Sequence, residues 1–213
     1  MKFHHIAVEG VMGVGKTSAV ELLAERLDAT TVLEDWAENP FLRPFYEGRT
    51  GAAFQAELFF LLSRYRQQQE LLQRNLFAQT TLTDYTFEKS RLFAYLNLED
   101  SELLLYEKLY GLLAEGVPRP DLVIYLQAPT EVLEKRIRTR GRPEESRLSE
   151  EYLAEVNRAY NHYFFHYAQT PLLVVNTADA DFVKRAEDLD DLIRQVKAMG
   201  KGTQYYVPRG GKG

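Results

Sequence analysis

The sequence predicts an α/β domain built on a doubly wound, parallel, five-stranded sheet. Three observations carry that prediction. Short runs rich in Val, Ile and Leu recur along the chain, and "LVIYL" (122–126) and "LLVV" (172–175) are almost continuously apolar, as strands covered on both faces are. Longer segments of helical period separate these runs, and that alternation is the pattern of parallel βαβ units. A glycine-rich signature, Gly10-x-x-x-x-Gly15-Lys16-Thr17, stands between the first apolar run and the first helical segment.

Taken in order, the first strand is expected at His5–Val8 and a helix at Lys16–Leu27. Thr31–Glu34 reads as a second strand with an acidic end, followed by a long helix over Ala53–Leu76. Thr80–Asp84 gives the third strand, again closed by an acid, and Ser101–Ala114 a leucine-rich helix. The fourth strand is Leu122–Gln127, with helices at Thr130–Arg140 and Glu150–Tyr167; the fifth is Leu172–Asn176, followed by a helix over Asp181–Ala198. Arg138–Ser149, "RTRGRPEESRLS", is polar and broken by Gly and Pro, so it reads as a flap. Residues 1–200 form one domain on this reading, and the glycine-rich tail 201–213 is expected to be partly disordered.

Composition narrows the partners. A chain of 213 residues holds one sizeable core. Its net charge of −5 argues against a nucleic-acid binder. No apolar run reaches membrane-spanning length, and "MKFHHIAVEG" is too short and polar for a signal peptide. The absence of cysteine removes disulfides and thiol chemistry and suits a cytoplasmic location.

In an open α/β sheet, ligands gather beyond the carboxyl ends of the strands. The Gly10…Thr17 signature lies there, after a strand and opening a helix, which is the context of a P-loop. Glycines let backbone N–H groups converge on phosphate oxygens, and the helix N-terminus adds positive potential. Gly10, Gly13, Gly15, Lys16, Thr17 and Ser18 are therefore the candidate ATP contacts, with the Thr17 hydroxyl on Mg²⁺. A switch-type GTPase would carry Asn-Lys-x-Asp, and the nearest stretch, Asn176-Thr-Ala-Asp179, lacks the lysine. A small-molecule kinase would need an acceptor pocket, a base and a charge-neutralising lid.

All three have candidates. Arg136, Arg138, Arg140, Arg142 and Arg147 fall within twelve residues, and planar guanidinium forks suit the equatorial oxygens of a transferring phosphoryl group. A basic surface loop is the plainer alternative. Glu34 ends the second strand on the ligand side, where it is placed to accept a hydroxyl proton. Asp84 ends the third and is the candidate second-sphere Mg²⁺ carboxylate. Helix capping is the competing role for these acids, and Asp35 the competing residue beside Glu34.

Together the P-loop, Glu34 followed by Asn39-Pro40-Phe41, "FYE" (45–47), "LSRYR" (62–66) and "KRIRTRGRPEE" (135–145) resemble the deoxyribonucleoside kinases. The resemblance implies transfer of the ATP γ-phosphate to a deoxynucleoside 5′-hydroxyl, with Glu34 as base and Arg136, Arg140 and Arg142 as lid arginines. It also implies Tyr46 and Glu145 on the sugar 3′-hydroxyl, Phe93 stacked on the base, and a homodimer formed through the helices at 53–76 and 101–114. Tyr46 as a core aromatic stays open.

The chain departs from the family pattern twice. Asp84-Tyr85-Thr86 stands where an acidic-Arg-Ser triplet is usual, leaving Arg91 or Lys89 as substitutes for the arginine. Glu57 stands where many members carry a base-pairing glutamine. An ionised glutamate only accepts hydrogen bonds, and guanine presents two adjacent donors, N1–H and the N2 amino group. Deoxyguanosine is therefore the expected substrate, with Arg64 either pairing with Glu57 or donating to the base. Deoxyadenosine, or both purines, is the alternative within the family. Outside it stand a nucleoside monophosphate kinase and a non-enzymatic nucleotide switch.

Overall fold

The computed structural model describes residues 2–74 and 80–208. The elements are β1 (His5–Glu9), α1 (Lys16–Leu27), β2 (Thr30–Val32), α2 (Leu42–Tyr46), α3 (Ala52–Arg74), β3 (Thr81–Thr83), α4 (Lys89–Asn97) and α5 (Asp100–Ala114). They continue as β4 (Leu122–Gln127), α6 (Thr130–Arg140), a 3-10 turn (Pro143–Arg147), α7 (Glu150–Phe165), β5 (Leu172–Asn176), α8 (Ala186–Ala198) and β6 (Thr203–Tyr206). The sheet is parallel throughout, in the order β2-β3-β1-β4-β5-β6. Its middle strand β1 is wholly buried, which explains its apolar run. The chain leaves β1 for β2 on one side and reaches β4 on the other, so a crevice opens at the carboxyl ends of β1, β3 and β4.

The sheet has six strands where five were expected. The extra one, β6, lies in the supposed tail and pairs with β5 from Thr203 opposite Leu172 to Tyr206 opposite Val175. Glycines on either side of Lys201 disguise it, but its threonine and two tyrosines suit a strand, and Tyr206 packs on the main core. Residues 209–213, and the expected end of the long helix at 75–76, lie outside the described residues. Two helices, α2 and α4, were not anticipated. The last helix starts at Ala186 and not Asp181, because the Asp181 carboxylate accepts from the N–H groups of Val183 and Lys184 and folds that stretch into a turn. β2 stops at Val32; the Glu34 N–H donates to Asp84 Oδ1 (2.7 Å), so the chain peels away from the sheet two residues early.

Helix ends follow local chemistry. Ser149 caps α7, its hydroxyl accepting from the Tyr152 N–H. Glu99 and Glu102 form a reciprocal capping box on α5. α6 ends at Gly141, whose φ of 65° an L side chain rarely adopts.

The P-loop is packed beneath α6. At Gly13, with φ 83°, an added Cβ would lie 2.7 Å from Ile137 Cγ1 and 2.8 Å from the Leu133 carbonyl oxygen. At Gly15, with φ 100°, it would meet nothing within 4 Å. Gly13→Ala is therefore expected to cost more stability than Gly15→Ala, by on the order of 1–3 kcal/mol, since only the first combines backbone strain with a clash. Urea denaturation of the two variants checks this; equal losses would contradict it.

Candidate active site

The crevice is a cleft of about 460 Å³, and its lining runs from the P-loop to the facing walls of α2, α3, α4 and the segment after α6. At one end, Gly10, Gly13, Gly15, Lys16, Thr17 and Ser18 all line it. The first turn of α1 carries neither an acidic residue nor a side-chain cap, so its N–H groups remain available to an anion. The Lys16 ammonium rests on the carbonyls of Gly10 (2.7 Å) and Val11 (3.3 Å). Burial, with Lys89 nearby, pulls it down to about 8. The Thr17 hydroxyl donates to Asp84 Oδ2 (3.0 Å), bringing the two candidate metal-site oxygens together.

Glu34 occupies the middle. Its Oε1 accepts from Arg64 Nε (2.7 Å) and its Oε2 from Lys89 Nζ (2.5 Å). Arg64 Nη1 donates onward to the Ser90 hydroxyl (2.8 Å). Burial works against the Glu34 charge, but Arg64 and Lys89 outweigh it and draw the carboxyl down to about 2. Lys89 thus sits beside the candidate base, whereas Arg91 turns outward to Glu107. Of the two possible stand-ins for the absent arginine, the fold brings only Lys89 to the cleft.

The far end is lined by Tyr46, Glu57, Phe60, Phe93, Asn97, Glu145 and Tyr152. Glu57 Oε1 accepts from Asn97 Nδ2 (2.8 Å), while Oε2 is buried with no partner. Burial pushes this carboxyl up to about 7, against the Asn97 amide and the Arg64 charge. Arg64 directs its hydrogen bonds to Glu34 and Ser90 and none of the described ones to Glu57. Glu145 Oε1 pairs with Arg140 (2.5 Å), and its Oε2 is likewise buried and unpaired. Burial, then Glu145, raises the Tyr46 phenol well above its ordinary range, so it stays a neutral hydrogen-bond donor. Phe93 meets Tyr160 edge-on, with ring centroids 6.0 Å apart, and presents an aromatic wall.

The arginine cluster divides. Arg140 and Arg142 line the cleft, and the Arg142 guanidinium lies 4.4 Å from the centroid of the Trp36 ring. Arg138 faces Glu134 and Glu150, and Arg147 faces Glu47. Arg136 does not line the cleft: its guanidinium donates to the carbonyls of Val14, Thr177 and Ala180 and to the Thr177 hydroxyl. It stands three residues after Leu133 and one before Ile137, the residues packed on Gly13, so it braces the P-loop from behind. The structure thus does not bring Arg136 into the cleft beside Arg140 and Arg142, because carbonyl oxygens behind the loop take the guanidinium.

Four participants escaped the sequence: Glu9, Asn97, Phe60 and Tyr152. Glu9, fully buried, accepts from the Thr86 N–H (2.6 Å), the Thr86 hydroxyl (3.0 Å) and the Gly10 N–H (3.2 Å), tying the P-loop to the end of β3. Lys89, Phe93 and Asn97 recur every four residues on α4, a stripe on one helix face that could have been recognised had the helix been. Phe60 and Tyr152 carried no signal beyond ordinary aromatic packing.

Comparison with known proteins follows the same lines. A family model described as deoxynucleoside kinase matches residues 6–200. The chain is 33% identical to deoxyguanosine kinase of Bacillus subtilis over 199 residues, covering 91% of this chain and 96% of that protein. It is 32% identical to deoxyadenosine kinase of Dictyostelium discoideum over 206 residues, 94% and 81% of the two chains. In fold it is similar to the structure of deoxyadenosine kinase from M. mycoides with bound dCTP, with a TM-score of 0.76 over 92% of this chain and 100% of that one, at 24% identity.

The Glu34 cluster makes a stability prediction independent of any ligand. Glu34→Ala leaves Arg64 and Lys89, whose side chains are 3% and 9% exposed, without their counter-charge. A loss of about 3–5 kcal/mol is expected, measured by denaturant unfolding. The wild type loses part of its stability as pH falls from about 4.5 toward 2, the interval between the ordinary carboxyl and the lowered one. That portion is absent from the variant's pH profile. A variant as stable as the wild type would contradict this account.

Proposed function

Because the chain belongs to the deoxynucleoside kinase family, we propose that it transfers the γ-phosphoryl group of ATP to the 5′-hydroxyl of a purine deoxynucleoside, with deoxyguanosine preferred. One observation carries the substrate half of the proposal. Two buried acceptor oxygens, Glu57 Oε2 and Glu145 Oε2, line the cleft without partners, and a buried acceptor left bare costs about 1–3 kcal/mol. A neutral guest rich in N–H and O–H donors relieves both. A nucleoside monophosphate would instead need cations there for its own phosphate.

In this reading the triphosphate lies on the P-loop and the N-terminus of α1, with Lys16 leaving its carbonyl partners for phosphate oxygens. Thr17 and Asp84 fit a Mg²⁺ ion, which takes few protein oxygens and fills its shell with water and phosphate. When bound, that ion neutralises charge on the triphosphate. Arg140 and Arg142 complete the positive surround. The sugar 3′-hydroxyl is held by Tyr46 and Glu145, and the base lies against Phe93. Glu34 accepts a hydrogen bond from the 5′-hydroxyl through a lone pair left free by Arg64 and Lys89. As the new O–P bond forms and the bond to the β-phosphate oxygen breaks, the hydroxyl proton passes to Glu34. A carboxyl held near 2 is a weak base, so the proton moves late, as suits a loose transition state.

Guanine N1–H and N2–H meet Glu57 Oε2 and the second lone pair of Oε1. Adenine would set its N1 lone pair against the carboxylate, unless the carboxyl is protonated and donates. With Glu57 raised to about 7, the protonated form dominates below that pH and the ionised form above it. The dual-purine reading draws its support from the same titration.

Pairing of two chains is assigned to α3 and α5, where Leu62, Leu104, Leu105 and Leu112 are exposed. No described helix is long and apolar enough to cross a membrane, and the absence of cysteine suits a cytoplasmic home.

Two assays test the proposal. The ratio of kcat/KM for deoxyguanosine to that for deoxyadenosine should rise with pH, with a midpoint near 7. Glu57→Gln should flatten that profile and shift preference toward deoxyadenosine; identical base rankings in both proteins would refute the assignment. Glu34→Gln should bind nucleoside with near-normal affinity but lose roughly 10²–10⁴ in turnover. Turnover within a few-fold of wild type would remove Glu34 as the proton acceptor.

A further inference from the structure

Beyond Glu57 itself, a hydrogen-bonded chain crosses three helices. The Tyr152 hydroxyl on α7 lies 3.0 Å from Asn97 Oδ1 on α4, and Asn97 Nδ2 lies 2.8 Å from Glu57 Oε1 on α3. All three side chains line the cleft. Building on the assignment of Glu57 as the base-reading group, we infer that Asn97, oriented by Tyr152, is a specificity-positioning residue that holds Glu57 in its guanine-accepting state.

The orientation follows from donor and acceptor inventories. An ionised carboxylate only accepts, so Asn97 must show it the amide N–H. The Asn97 carbonyl then faces α7, where the Tyr152 hydroxyl supplies a donor. Burial raises that phenol far above its ordinary value, so the proton stays on it. The chain therefore runs donor to acceptor from Tyr152 through Asn97 to Glu57 Oε1, and Oε2 is left as the bare oxygen. Turned over, the amide would put its carbonyl against Oε1. That arrangement requires a proton on the carboxyl, the form that suits adenine. The amide N–H thus stabilises one ionisation state of Glu57 and with it one base.

The Arg64 and Lys89 charges also favour the ionised form, but among the described hydrogen bonds no other group donates to Glu57. The charged and titratable groups around Glu57 are Arg64 on α3, Lys89 on α4, Glu34 beyond β2, Tyr46 on α2, Tyr106 on α5 and Tyr152 on α7. Arg64 and Lys89 are hydrogen-bonded to Glu34. The Tyr106 hydroxyl donates to the Ser90 carbonyl (3.1 Å). Among the described hydrogen bonds only Asn97 donates to Glu57.

The test is the pH profile of the deoxyguanosine-to-deoxyadenosine ratio of kcat/KM in Asn97→Leu, Asn97→Asp and Tyr152→Phe. Loss of the amide donor in Asn97→Leu should move the midpoint upward by about one pH unit and cut deoxyguanosine preference at neutral pH about tenfold. Asn97→Asp, which sets a second carboxylate against Glu57, should move it further. Tyr152→Phe, a mild change, should move it in the same direction by less. Midpoints equal to wild type, with both substrates losing activity in proportion, would show that Asn97 merely packs and would overturn the inference while leaving Glu57 as the reader. A flat wild-type profile, or Glu57→Gln ranking bases as the wild type does, would overturn both, and that result is distinguishable because it needs no Asn97 variant.

Discussion

The carboxylate of Glu34, shared between Arg64 and Lys89, is the contact on which the site depends. It joins three parts of the chain that the sheet alone would leave apart: the segment beyond β2, the middle of α3 and the start of α4. A buried ion triad of this kind is poor evidence of stability, because desolvation offsets much of the Coulomb gain. Its consequence is placement. Arg64 cannot leave without baring Glu34, and its bond to Ser90 fixes the face that α4 turns to the cleft. Asp84 extends the arrangement, taking the Glu34 N–H on one oxygen and the Thr17 hydroxyl on the other. The candidate base, the candidate metal oxygens and the P-loop are thus joined in one hydrogen-bonded unit.

From that unit the cleft divides by charge. Lys16, the α1 N-terminus, Arg140 and Arg142 face one end, where an anion is welcome. Toward the other end the acids Glu57 and Glu145 each keep an oxygen unpaired, and aromatic rings supply flat apolar walls. On the proposed reading the division matches the two substrates, a polyanion and an uncharged nucleoside, and Glu34 stands where they meet. Glu9 anchors the floor by tying the first P-loop glycine to Thr86, so both ends are referred to β1.

Much of this was legible in the sequence wherever local chemistry decides structure. The P-loop needs its glycines whatever surrounds it, β4 and β5 are buried on both faces and read as such, and Glu34 and Asp84 announce themselves as acids within two residues of the ends of β2 and β3. What escaped depends on distant partners. β6 is an edge strand of Thr, Gln and two Tyr between glycine-rich ends, and its identity comes from pairing with β5. α4 opens on Lys89 and Ser90, buried against polar partners and not apolar ones, so its inner face does not read as an apolar stripe. Arg136 belongs by spacing with the lid arginines, yet its turn of α6 faces the carbonyls of Val14 and Thr177. Spacing shows that residues share a face; only packing shows what the face meets.

A site tuned by unpaired groups discriminates more sharply than one built of apolar walls. Adding a methyl group to an apolar pocket changes affinity modestly, whereas a buried acceptor facing the wrong edge of a base loses a hydrogen bond and confronts a lone pair. Such a site must hold its acceptor in the right charge state, and burial alone drives a carboxyl the other way. Glu57 is caught between these demands. Burial raises it toward neutrality, and the Asn97 amide N–H, its one donor among the described hydrogen bonds, opposes that together with the charges of Arg64 and Lys89. On the proposed reading, base choice resides in the proton on one oxygen as much as in the shape of the pocket, and the groups proposed to set that proton lie on helices α4 and α7, one step removed from the base.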